Sequence, residues 1–193
     1  AAENGSDLTL TIDLKIQSIV EKYLKQAVED NSCENGGSCI VMNPKTGDIL
    51  AMATYPNYDL NSPFTPNATV AKTYDTLDAE GKTNAIYQMW SSKSITELYE
   101  PGSVFKVITA AAALEENITG TDIANDFNCE GFEHIIDTDI KCWCYPSSHG
   151  TQTLRQSLEN SCNPAFIQLG TRIGTSNLYK YYKSFGFFDK TGI

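Results

Sequence analysis

At 193 residues and 41% hydrophobic content, the chain has the length and composition of one globular domain with a real core. Its 14 basic and 24 acidic residues leave a net charge of −10, which argues against nucleic acid or an anionic membrane surface as partner. The longest apolar run, Val107 to Leu114, is far below the ~20 residues that cross a bilayer.

Ala1 to Asp7 read as linker, and Leu8 to Ile12 alternate as a short strand. Asp13 then caps a helix whose apolar stripe is Ile16, Ile19, Val20, Tyr23, Leu24, Ala27 and Val28. Cys33 to Ser38 form a Gly-rich loop; Ser38 to Asn43 and Asp48 to Tyr55 form a hairpin. Asn57 to Asn67 is a loop, and Thr69 to Leu98 is mixed and partly helical. A buried helix runs from Ser103 to about Glu116, and Phe127 to Gly150 is irregular. Thr153 to Asn160, Pro164 to Ile173 and Ser176 to Phe185 are helices, the last stopped by Gly186. The implied fold class is α/β (α+β), with helices layered on an antiparallel sheet that has too few strands.

Two short motifs carry chemistry. The first is Ser103-Val104-Phe105-Lys106, which follows the Pro101-Gly102 turn. A serine and a lysine three apart share one helix face, and a lysine that loses its proton in a dry pocket can serve as base for that serine. Taken alone, Ser103 could be a helix cap and Lys106 a snorkelling surface residue. The second motif is Ser161-Cys162-Asn163, between two helical segments and just before Pro164. Alone, it too reads as a cap. Together and in this order, S-x-x-K then S-x-N is the arrangement of penicillin-binding proteins and serine β-lactamases.

On these residues the chain resembles the transpeptidase domain of a class B penicillin-binding protein, most closely the elongation- and sporulation-type enzymes of spore-forming Gram-positive bacteria. Leu8 to Asp13 with Gln17 resemble the family's domain opening, Ile40 to Met52 its first hairpin, and Phe185-Gly186-Phe187 a loop near the end. Tyr55 to Asn61 and Tyr99 to Ser103 match as well, and Asn84 resembles the residue placed just before the active-site helix. The resemblance implies a peptidoglycan D,D-transpeptidase that β-lactams inhibit. Ser103 is then the nucleophile, Lys106 its base, Ser161 a proton relay and Asn163 a substrate-binding residue; no cofactor serves the catalysis. It also implies a place at the extracytoplasmic face of the membrane, with an anchor outside this sequence. Implied partners are peptidoglycan stem peptides and the glycosyltransferases of a cell-wall synthesis complex. The alternatives are a penicillin-sensing receptor domain and a non-catalytic structural module. A β-lactamase would need an E-x-x-x-N-like deacylating element after Asn163, which the sequence lacks.

The family's third motif, K-S/T-G on an edge strand, lies further downstream in its members. Lys45-Thr46-Gly47 sits in a hairpin turn, and Lys190-Thr191-Gly192 comes too soon after Ser161 with no strand before it. Both are read as decoys. The chain is thus expected to be the N-terminal portion of a transpeptidase domain, with the remaining half of that domain packing beside the 40–55 hairpin and the Ser103 helix.

Six cysteines complete the inventory. Cys33 and Cys39 bracket a loop that a disulfide could close. Cys162 resembles a small buried filler. Cys129, Cys142, Cys144 and His149 supply three sulfurs and an imidazole, the donor set of a tetrahedral structural zinc site. His134 or Asp137 could replace His149, and a Cys129–Cys142 disulfide with Cys144 free is the competing arrangement.

Overall fold

The computed structural model describes residues 5–192, so the first four residues of the expected linker lie outside the described residues. The chain divides into two units, residues 1–98 and 99–193. Among the described residues no helix is long and apolar enough to cross a membrane.

In the first unit, Asp13 caps helix α1 (Leu14–Asp30) as its position predicts, with its carboxylate accepting from the N–H groups of Lys15 and Ile16. The buried stripe is narrower than expected. Ile16, Val20, Leu24 and Val28 turn inward at four-residue spacing, while Ile19, Tyr23 and Ala27 are exposed. This face covers the hairpin of β1 (Gly37–Met42) and β2 (Ile49–Tyr55), which pair antiparallel with a register shift after Val41. Lys45-Thr46-Gly47 lies in the hairpin turn. Gln17 pairs both ends of its amide with one backbone residue: Met52 N–H donates to Oε1 at 2.9 Å, and Nε2 donates to Met52 O at 3.0 Å as well as to Glu21 Oε1 at 2.8 Å. A side chain thus supplies the pairing that a further strand would give β2. The strand expected over Leu8–Ile12 does not form. Among the described residues that segment is tied to β2 by Thr11 Oγ1 donating to Ile49 O and, just after it, by Asp13 N–H donating to Leu50 O, with no continuous ladder. Helices α2 (Ala71–Tyr74), α3 (Ala79–Trp90) and α4 (Lys93–Thr96) follow, with Asn84 exposed on α3. The Cys33–Cys39 disulfide is absent: both thiols are free.

In the second unit, the helix expected from Ser103 is two pieces. A 3₁₀ turn, Gly102–Phe105, runs into α5 (Lys106–Glu115). α5 is buried on one face only: Ala110, Ala112 and Ala113 are enclosed, whereas Val107 and Leu114 are exposed, as is Val104 in the turn before it. The segment from Phe127 to Gly150, expected to be irregular, holds four short strands: β3 (Phe127–Cys129), β4 (Phe132–Ile135), β5 (Thr138–Lys141) and β6 (Gly150–Gln152). β3 pairs with β6 and β4 with β5, all antiparallel. Strands of three or four residues carry too little period-2 pattern to be read from sequence. The three last helices are where expected: α6 (Leu154–Glu159), α7 (Asn163–Ile173) and α8 (Thr175–Ser184). Thr153 and Gln156 make a reciprocal capping box at the start of α6.

The core of this unit joins α5, α6, α7 and β3 through Phe127, Leu154, Ala165, Phe166, Leu169 and Ile173, with Cys129, Cys142 and Cys162 in the same cluster. The alanines of α5 leave room for α7 to approach closely. Arg172 closes the edge: it bonds Asp126 and lays its guanidinium 4.6 Å from the centre of the Phe127 ring.

Candidate active site

The 3₁₀ turn decides how Ser103 and Lys106 relate. With three residues per turn, side chains at i and i+3 eclipse, so the two lie on one face, and Lys106 N–H donates to Ser103 O. Gly102 precedes them at φ 56°, a left-handed conformation that favours glycine. Ser103 is exposed and makes no side-chain hydrogen bond among the described residues.

Lys106 points instead to the α6–α7 connection. Its Nζ donates to Ser161 O at 2.7 Å, to Asn163 Oδ1 at 2.7 Å and to Ser161 Oγ at 3.2 Å. It also lies 5.4 Å from the centre of the Phe166 ring. Burial lowers the Lys106 pKa below the ordinary lysine value, only partly opposed by the nearby Cys162 and Cys142 sulfurs. Three of the four motif residues therefore meet directly. Ser103 stands one turn before Lys106 and outside that hydrogen-bonded set.

The connection itself is strained. Ser161 has φ 46°, where a side chain costs about 1–2 kcal/mol. Several contacts hold it. Cys162 N–H donates to Ser157 O, and Asn160 Nδ2 donates to Gln152 Oε1 at 2.8 Å. Trp143 Nε1 donates to Asn160 O at 2.7 Å. Asn163 Nδ2 reaches Lys141 O at 3.4 Å, so both ends of its amide are engaged.

Lys141 and Trp143 flank Cys142, and the thiols gather there. The ligand atoms of Cys129, Cys142, Cys144 and His149 all lie within 4.8 Å of one another. His149 Nδ1 is 3.6 Å from the sulfurs of Cys129 and Cys142 and 3.5 Å from that of Cys144. Tetrahedral zinc, with Zn–S near 2.3 Å and Zn–N near 2.0–2.1 Å, requires S···N separations of about 3.5–3.6 Å. The donor set and its spacing fit that ion. The competing Cys129–Cys142 disulfide is not formed; all six cysteines are free. His149 Nε2 is buried without a hydrogen-bond partner among the described residues. His134 and Asp137 do not join the cluster. His134 lies on the exposed β4–β5 hairpin, paired with Asp139 at 2.7 Å, and Asp137 occupies the turn of that hairpin. Gly131 shapes the loop: at φ 90°, a Cβ there would sit 2.5 Å from Ser147 O, and its carbonyl accepts from Cys142 N–H.

Lys190-Thr191-Gly192 has no strand before it. No pairing role for Trp143, Lys141 or Asn160 was legible in the sequence. A tryptophan placed between two cysteines of one cluster was the available signal.

A family model, the penicillin binding protein transpeptidase domain, matches residues 37–193. The chain belongs to this family. Stage V sporulation protein D of Bacillus subtilis (strain 168) is 38% identical over 191 residues, covering 99% of this chain and 26% of that protein. Peptidoglycan D,D-transpeptidase PbpA of Mycobacterium tuberculosis (strain ATCC 25618 / H37Rv) is 31% identical over 186 residues, covering 94% of this chain and 36% of that protein. The chain therefore spans about a quarter to a third of the length of these relatives. The penicillin G acyl-enzyme complex of penicillin-binding protein A from M. tuberculosis superposes with a TM-score of 0.68 at 29% identity, covering 91% of this chain and 39% of that one. The D,D-transpeptidase domain of a peptidoglycan glycosyltransferase from Eggerthella lenta gives 0.64 at 31% identity, covering 84% and 36%. The fold is that of penicillin-binding transpeptidase domains, as the paired motifs implied.

Proposed function

We propose that residues 1–193 form the N-terminal portion of a transpeptidase domain that cross-links peptidoglycan stem peptides by serine acyl transfer. The observation that carries this reading is Lys106 Nζ, held between Ser161 and Asn163 one turn from Ser103. As an ammonium, Lys106 fills all three N–H bonds. Once it loses a proton, a lone pair becomes available to Ser103 Oγ, and burial favours that loss. Ser103 Oγ then attacks the carbonyl between two terminal D-alanines while its proton passes to Lys106. The C–N bond breaks as the proton reaches the departing amine through Ser161, and the last D-alanine leaves. The amine of a second stem peptide attacks the acyl-enzyme, forms the cross-link and restores Ser103. The backbone N–H of Ser103 serves as one oxyanion donor, and Asn163 holds the donor peptide. β-Lactams acylate the same serine.

The K-S/T-G strand that walls the other side of the cleft belongs to the remaining half of the domain, which packs against this portion. The protein acts at the extracytoplasmic face of the membrane, anchored through another segment, beside a glycosyltransferase of the cell-wall synthesis complex. A structural zinc is held by Cys129, Cys142, Cys144 and His149. When bound, it supplies a cross-link for the loop and takes no part in the acyl transfer.

The test is labelling of the complete protein with a fluorescent penicillin. The wild type labels covalently, and Ser103→Ala does not while keeping its melting temperature. Covalent labelling that persists in the variant would remove Ser103 from the mechanism. D-Amino-acid exchange with a thioester donor separates a transpeptidase from a receptor that only becomes acylated.

A further inference from the structure

Trp143 is out of place by burial. Its side chain is 70% exposed, so filling the core cannot account for an indole there. Yet it is held from two sides. Nε1 donates to Asn160 O at 2.7 Å, and the ring meets the His149 ring edge-on at 5.2 Å between centres. Asn160 O is a helix-end carbonyl that lacks an intrahelical partner, immediately before the strained Ser161. Two residues earlier in the chain, Lys141 O accepts from Asn163 Nδ2. The Lys141–Trp143 segment thus grips the Ser161–Asn163 turn on both sides, with Cys142 of the thiol cluster between its two grips.

We infer that Trp143 is a positioning residue: its indole N–H fixes the carbonyl ahead of Ser161, and so the direction of Ser161 Oγ toward Lys106 Nζ. It touches no reacting atom. The inference rests on the proposed roles of Ser103, Lys106 and Ser161. A turn in a sparsely populated conformation keeps its geometry only while its surroundings hold it. Freed of this bond, the Ser161 hydroxyl samples directions that do not serve proton transfer, and only the reacting geometry suffers.

The experiment uses the complete protein and Trp143→Phe, which keeps an aromatic ring against His149 and removes the donor. Penicillin acylation is resolved into the dissociation constant of the initial complex and the rate constant of the chemical step, alongside zinc content and melting temperature. The expected result is a chemical step slowed about fivefold, the equivalent of one ordinary hydrogen bond. Dissociation constant, zinc content and melting temperature stay at wild-type values. A chemical step within about twofold of wild type overturns the inference. Loss of zinc, stability or folding in the Phe variant also overturns it, since Trp143 would then be a structural brace. Ser103→Ala is run beside it. If that variant is still acylated, the proposed site itself has failed; if only the Trp143→Phe expectation fails, the site reading stands.

Discussion

Removing the proposed zinc should be the sharpest perturbation of the second unit. Burial does little for the 132–141 hairpin, because β5 is exposed along its whole length. What closes the segment is the cluster of Cys129, Cys142, Cys144 and His149. Cross-linking Cys129 to Cys142 closes a loop of about 14 residues, which in the chain-entropy treatment is worth about 3 kcal/mol. For a unit of this size, residues 99–193, that corresponds to a fall of about 12–24 °C in melting temperature. The protein purified without added metal should carry one zinc per chain. A strong chelator should lower the melting transition by that amount, and one equivalent of zinc should restore it. Cys129→Ser should reproduce the chelated state, whereas Cys33→Ser, at an exposed thiol that is not one of the clustered residues, should leave metal and melting unchanged. Metal analysis that finds none, or a metal-free protein melting within about 1 °C of the loaded one, would refute the reasoning.

Lys106→Arg should slow penicillin acylation by at least about 100-fold, because a guanidinium does not release its proton; a rate within tenfold of wild type would show that another group is the base. In the wild type, the lowered Lys106 pKa means that the neutral amine is present above that value and is lost as pH falls through it. Acylation should therefore fall with decreasing pH along a limb centred below the ordinary lysine range, and a limb at or above that range would contradict the burial argument. Phe127, 1% exposed beneath Arg172, should cost about 3–5 kcal/mol when changed to Ala, read from urea unfolding; a loss under about 1 kcal/mol would mean that the core collapses readily around the site.

Long periodic segments and cap chemistry were legible in the sequence because they rest on neighbours in the chain. Asp13 and Pro164 each mark a helix start, the first through bonds to residues a few positions away and the second through a fixed backbone angle. Lys45-Thr46-Gly47 was identifiable as a turn between two strand-like runs for the same reason. The strands between Phe127 and Gln152 were not legible: β3 is selected by a partner far along the chain, as when Cys129 lies opposite Gly150, and the local β4–β5 hairpin is too short to show alternation. The strand expected at Leu8–Ile12 failed in the opposite sense: its alternation is present, but Gln17 already occupies both backbone groups of Met52.

The residue types of the site and their order along the chain came from sequence alone: a serine and a lysine three apart, a later S-x-N, and three thiols with a histidine. Their spacing fixed which pairs could share a helix face. Tertiary structure decided what those groups do to one another. It turned Lys106 toward Ser161 and Asn163, chose His149 over His134 and Asp137, and joined Trp143 to the carbonyl before Ser161. These contacts span 5 to 57 positions in the chain. Pairings of that kind depend on which helices the core brings together, and the small Ala110, Ala112 and Ala113 of α5, packed with Ala165 and Leu169 of α7, make that choice.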